Sequence, residues 1–173
     1  MITRDNPPIQ GKQSLAKGSS IALVSPVEFA TSSWRRAVLE LEEHQKAWLL
    51  WCYGGNICWE HQIAITQWGW SEFKTQSGSR KIAVKTLERV KKLIWLAAQD
   101  VRGWVTGCEV YQRQELARLC GVKPDNWSHN YANYWREMCD IFKRLDRESL
   151  ICSVKIRAQQ KATFSRRDIA KVN

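Results

Sequence analysis

Residues 114–135 read QELARLCGVKPDNWSHNYANYW. Leu116, Ala117 and Leu119 mark a short helix that ends at Gly121. Ala117 is small enough to let two helices approach, and Gly121 can take the left-handed conformation that a tight turn needs. Val122 plugs the corner. Pro124 is tolerated only in the first turn of a helix, so it marks where the second helix starts. This pattern predicts a helix-turn-helix at about residues 110–136. In a strongly basic chain, the expected use of such a corner is to enter DNA.

The second helix carries its own ruler. Trp127, Tyr131, Tyr134, Met138, Ile141 and Leu145 recur at spacings of 4, 3, 4, 3 and 4, so they form a buried face. The helix is expected to run to about Leu150. That face fixes the opposite one: His129, Asn130, Asn133 and Arg136 point away from it, and Lys123, Asn126 and Ser128 sit at or near the helix start. Asparagine can pair bidentately with adenine and arginine with guanine. Lys123, Ser128 and the unpaired first-turn amides suit phosphate. These seven residues are the expected DNA-binding face, weighed against an ordinary helical hairpin that binds nothing. One feature departs from a standard corner. Positions that usually hold Ile or Val inside the second helix hold Trp127 and Asn130, so the packing differs or the register is off by one.

Upstream, Ser33 reads as the N-cap of a helix from Trp34 to about Tyr53 with Trp34, Ala37, Val38, Leu41, Gln45, Trp48 and Cys52 on one stripe. Gly54 and Gly55 end it. A second helix is expected from about Cys58 to Phe73, weakened in the middle by Gly69, although residues 63–66 also suit a short strand. A third, about 80 to 102, has Ile82, Leu87, Val90, Ile94, Ala97 and Val101 along one side. Arg80, Lys81, Lys85, Arg89, Lys91 and Lys92 occupy much of the rest, as a solvated face or a phosphate-facing stripe. Residues 103–109 read as a loop. The fold class is therefore all-α: a compact helical domain of about five helices over residues 31–150. A flexible, Pro- and Ser-containing arm (1–30) precedes it. A flexible basic tail (151–173) follows, carrying Lys155, Arg157, Lys161, Arg166, Arg167 and Lys171 against Asp168. That tail suits nucleic acid, a polymerase surface, or mere solubility.

Composition narrows the function classes. The 173 residues carry a net charge of +10, so an acidic partner is expected, nucleic acid before an anionic membrane. Most of the ten tryptophans are expected in the core. None of the six cysteines forms a C-x-x-C pair, and the spacing of Cys52, Cys58 and His61 matches no common zinc pattern. Free thiols, no metal and no cofactor are the expectation. No apolar run is long enough for a membrane span. The three histidines (44, 61 and 129) lack a partner pattern, and Glu40, Glu42 and Glu43 do not converge on one site. No Gly-rich phosphate loop, nucleophile elbow or paired-carboxylate signature is present, so the chain reads as no enzyme.

Several stretches together resemble one group of the bacteriophage antitermination proteins called Q: SWRRAV at 33–38, KAWLLWCYG at 46–54, HQ at 61–62, WSEFK at 70–74, LIWLAAQDV at 93–101, then residues 116–135 and LDR at 145–147. The tryptophan-rich stretches are the specific ones; the corner is not. The chain departs from the best-known lambdoid group, which carries paired C-x-x-C zinc motifs. The resemblance implies a protein of the bacterial host's cytoplasm that binds double-stranded DNA at a phage late promoter. It implies engagement of the paused RNA polymerase holoenzyme, sigma subunit still bound, near the RNA exit channel with nascent RNA nearby. The modified polymerase would then ignore pauses and terminators. On this picture the seven-residue face reads the DNA element, and apolar and basic surfaces of the first three helices are candidates for polymerase contact.

Overall fold

A computed structural model describes residues 26–55, 57–78, 80–108 and 111–170. Its described residues form six helices and no strand. They are α1 (Pro26–Leu39), α2 (Glu43–Cys52), α3 (Trp59–Ser77), α4 (Val84–Thr106), α5 (Arg113–Cys120) and α6. The last is a continuous run of three parts: a first turn Pro124–Asn126, a π-turn Trp127–Tyr131 and the long stretch Ala132–Ala170. At 1.5 Å per residue it is about 70 Å long. It is the spine on which α1, α2, α3 and α4 pack.

The helix expected from Trp34 to Tyr53 is two helices. Leu41 N–H bonds back to the Val38 carbonyl, and Glu42 is extended (φ −58°, ψ 152°) before α2 begins. Past the break, Leu41, Ala47 and Trp48 join the central cluster, with α2 packed against α3 and α6, while Ala37 of α1 is buried outside that cluster. Ser33 is therefore no cap. It lies inside α1, buried, and its Oγ accepts from Arg157 Nε at 3.0 Å. The helix reaches back to Pro26, inside the expected arm; residues 1–25 lie outside the described residues. Residues 63–66 are helical, with Thr66 Oγ1 donating to the Gln62 carbonyl at 2.7 Å. The third helix starts later than expected, at Val84, and swallows the expected loop as far as Thr106, where Gly107 (φ 71°) ends it. The spine also passes the expected end near Leu150 and continues to Ala170, because Ser153, Cys152 and Ile156 still have α1 and α2 to rest on.

The core is aromatic and centred on α6. Trp48 stacks on Phe142 at 5.6 Å and meets Trp51 edge-on at 5.7 Å, and all three rings are buried. Gly69 is where α3 comes closest to the spine. A Cβ there would sit 2.5 Å from Phe142 Cζ, so only glycine allows this approach. Asp146, buried on α6, accepts from Trp48 Nε1 and Tyr53 Oη, both at 2.9 Å. It satisfies the one polar atom of a fully buried indole and ties α2 to the spine. Seven of the ten tryptophans are buried or half-buried; Trp34, Trp59 and Trp104 are exposed.

Candidate nucleic-acid interface

The corner is held from behind. Asp100 of α4 accepts the Tyr111 N–H at 2.9 Å, and Tyr111 Oη donates to Gln99 Oε1 at 2.9 Å. Burial raises the Asp100 carboxyl, and the Tyr111 amide draws it back down. This anchors the approach to α5, whose Leu116, Ala117 and Cys120 are buried. At its end Gly121 takes φ 68°, and Val122 N–H reaches the Ala117 carbonyl at 3.0 Å. That is a Schellman-type stop. Val122 packs half-buried against the core, and Pro124 opens α6.

The odd pair Trp127 and Asn130 has a structural account in the π-turn. Ala132 N–H bonds to the Trp127 carbonyl, five residues back, which inserts one extra residue into the turn. Trp127 and Tyr131 are thereby both buried, stacked at 6.3 Å and 14°. Ser128, His129 and Asn130 follow one another on the outside. All seven expected residues, Lys123, Asn126, Ser128, His129, Asn130, Asn133 and Arg136, are exposed.

They do not form one cleft. Asn126 and Asn130 line a cleft of about 370 Å³ on the α4 side, opposite Lys81, Ala83 and Thr86. Ser128 and Arg136 line another, of about 580 Å³, with Tyr111 and Arg113 on the α5 side. The start of α6 is a ridge between the two. Lys123 precedes the helix and makes no side-chain cap, leaving its ammonium to solvent. Pro124 has no N–H, so the first turn offers one free amide fewer than a helix start without proline, and the regular ladder begins with Trp127 N–H on the Lys123 carbonyl.

The polar side chains bond only to their own helix. Ser128 Oγ donates to the Pro124 carbonyl at 3.2 Å. His129 Nδ1 lies 2.7 Å from the Asp125 carbonyl, which can only accept, so that nitrogen donates. Asn130 Nδ2 donates to Asn126 Oδ1 at 2.7 Å, and Arg136 donates to Asn133 Oδ1. These bonds orient without consuming. Asn130 keeps one amide N–H and its carbonyl, the donor–acceptor pair that adenine N7 and N6 require. Arg136 keeps further N–H donors.

Sequence reasoning missed the second wall on each side. Lys81 and Thr86 across one cleft and Arg113 across the other lie far from Asn130 and Arg136 in the chain. Only tertiary packing brings them together. Elsewhere, Cys52 and Cys139 are buried, which pushes the Cys139 thiol up to about 12 and the Cys52 thiol higher still. Cys52, Cys58 and His61 form no ligand group: among the described residues no cluster of three His, Cys, Asp or Glu could hold a metal. No helix of the described residues is long and apolar enough to cross a membrane.

The described residues thus form a strongly basic, all-helical fold with an exposed polar face at the start of α6. Comparison with known proteins makes this specific. The model of the phage antitermination protein Q family matches residues 1–170, and the chain belongs to that family. It is 64% identical over 173 residues to the antitermination protein Q of Enterobacteria phage 82, covering all of this chain and 76% of the relative. No solved structure matches it. The chain is thus a phage transcription antitermination protein.

Proposed function

We propose that the ridge at the start of α6 reads a DNA element at a phage late promoter. The protein then loads onto RNA polymerase paused just downstream, with sigma still bound, and suppresses pausing and termination. The observation that carries the DNA step is the amide of Asn130. It is exposed, oriented by Asn126, and left with the pair of groups that adenine offers partners for. Lys123 and Ser128 supply phosphate contacts beside it, and Arg136 a guanine-reading group nearly two turns further on.

A polymerase-contacting surface on this reading is the apolar groove of about 700 Å³ between α1, α2 and α6. Trp34, Val38, Leu50, Tyr53 and Leu150 line it, with Arg35 the only charged lining residue among the described residues. It lies toward the other end of the spine, so DNA and polymerase need not compete for one face. An apolar surface with a cation at its edge suits an apolar, acidic segment of the enzyme.

Single-round transcription from a template with the phage late promoter and a strong downstream terminator tests the reading. The full chain is expected to give read-through that depends on promoter-proximal DNA. Asn130→Ala is expected to lose it through DNA affinity, and Leu150→Lys to lose it while DNA affinity stays. Changed initiation without read-through would replace this reading with that of a sequence-specific regulator that never loads on polymerase.

A further inference from the structure

We propose that the basic edge of α4 and its lead-in is a phosphate ridge. Lys81, Lys85, Arg89 and Lys92 hold the backbone of the same duplex whose bases the start of α6 reads. The inference rests on the DNA reading above and extends it to a second element.

The first ground is contiguity. Lys81, Ala83 and Thr86 form one wall of the cleft whose other wall is Asn126, Asn130 and Tyr131. Arg89 donates to Tyr131 Oη at 3.2 Å, which fastens its guanidinium beside the π-turn and leaves its other N–H groups for a ligand. A strand of nucleic acid against Asn130 therefore cannot avoid this edge.

The second ground is charge. Lys85, Arg89, Lys91 and Lys92 line an open concavity of about 820 Å³, with Glu88 the only acid there among the described residues. Among the described residues, none of Lys81, Lys85, Arg89 and Lys92 makes an ion pair within 4.0 Å. Arg80 just upstream is neutralised by Glu137 at 2.8 Å, which shows what a merely structural cation does here. Lys85 and Arg89 are four residues apart and Arg89 and Lys92 three, so three cations share one helical face with the single carboxylate of Glu88 and leave it net positive. An anion seated there offsets the remaining charge.

The third ground is spacing. Lys85 to Lys92 spans about 10 Å along the helix. That is long enough to face more than one phosphate of a single strand, whose nucleotides rise about 3.4 Å each along the duplex axis.

The test is the salt dependence of binding by the full chain, on a duplex carrying the promoter element and on a random duplex of equal length. Each phosphate no longer neutralised is expected to lower the log–log slope by about 0.9. The triple variant Lys81→Gln, Lys85→Gln, Lys92→Gln changes only exposed side chains and is expected to melt like the parent. Its slope should fall by about 2 to 3 on both duplexes, with the ratio of the two affinities kept. A second triple, Arg35→Gln, Lys155→Gln, Lys161→Gln, removes the same charge far along the molecule and should change the slope by less than about 1. Equal falls in the two triples, or an unchanged slope in the first, would overturn the ridge. Equal binding of the parent to both duplexes would sink base reading by α6 instead. The ridge would then stand or fall on the difference between the triples alone.

Discussion

The polar residues exposed at the start of α6 and those along its later half are held in different ways, although Tyr131 and Glu137 near the start also take bonds from Arg89 and Arg80. Toward the C-terminal half, side chains reach across to other helices. Asp146 takes Trp48 and Tyr53 from α2, Arg157 takes Ser33 and stacks over Trp34 at 4.5 Å, and Gln160 bonds Glu40 at 2.7 Å. At the N-terminal end, Ser128, His129, Asn130 and Asn133 bond only within their own helix. A bond between elements is spent on holding the fold. A bond within one turn aims a side chain and can be traded for a ligand without moving anything else. The difference separates residues whose loss should unfold the protein from residues whose loss should only blind it.

Asp146→Ala should break the structural end. It strips the acceptor from a fully buried indole N–H and from Tyr53, and about 2–3 kcal/mol of stability should go with it. Thermal denaturation should show a drop of roughly 4–12 °C in Tm. A change under about 1 °C would mean that the ends do not differ as described. At the other end, Asn130→Ala should leave melting within about 0.5 kcal/mol of the parent. It should cost about 1–3 kcal/mol of affinity for the promoter element and little on random DNA. A loss shared by both duplexes would make Asn130 a general surface residue.

Much of this asymmetry is written in the sequence. The 4-3-4-3-4 spacing along the second helix of the corner picked out Met138, Ile141 and Leu145, all buried, and its complement picked out His129, Asn130, Asn133 and Arg136, all exposed. Gly121 and Pro124 placed the turn because each acts through its own backbone. What stayed hidden depends on partners distant in the chain. The break at residues 40–42 carries no Gly or Pro, and exists because Ala37 and Trp48 are buried against different neighbours. The run of α6 to Ala170 depends on α1 being there to receive it. The mismatch at Trp127 and Asn130 was visible as an anomaly, but a π-turn is set by two rings packing at once, which no periodicity encodes. Lys81 and Arg113 were visible as cations and invisible as walls of clefts.

Gly121→Ala sharpens the comparison from the hinge between its two sides. No atom lies within 4 Å of the added Cβ, so the only cost is the left-handed φ of 68°, about 1–2 kcal/mol. Because α5 positions the start of α6 but makes no bond to its polar residues, that cost should appear in melting. Affinity for the promoter element, measured well below the melting transition, should remain within about twofold, or roughly 0.4 kcal/mol.

The smallest expected effect is in pH, and it belongs to the structural end alone. His44 of α2 is half-buried and stacked on Trp68 at 4.7 Å and 7°. Burial lowers its pKa below the ordinary 6.5. The Glu42 carboxylate 3.7 Å away pulls in the opposite direction, but it is largely exposed and screened by water, so burial wins. Between the folded and unfolded values the unfolded chain binds the proton and the folded chain does not, so stability rises with pH there. The contribution of neutral His44 is complete above pH 6.5 and is lost as pH falls through that value toward the folded one. Melting between about pH 7.5 and 5.5 should therefore show a decline that His44→Gln reduces. An unchanged decline in that variant would place its source elsewhere than in the half-buried ring stacked on Trp68.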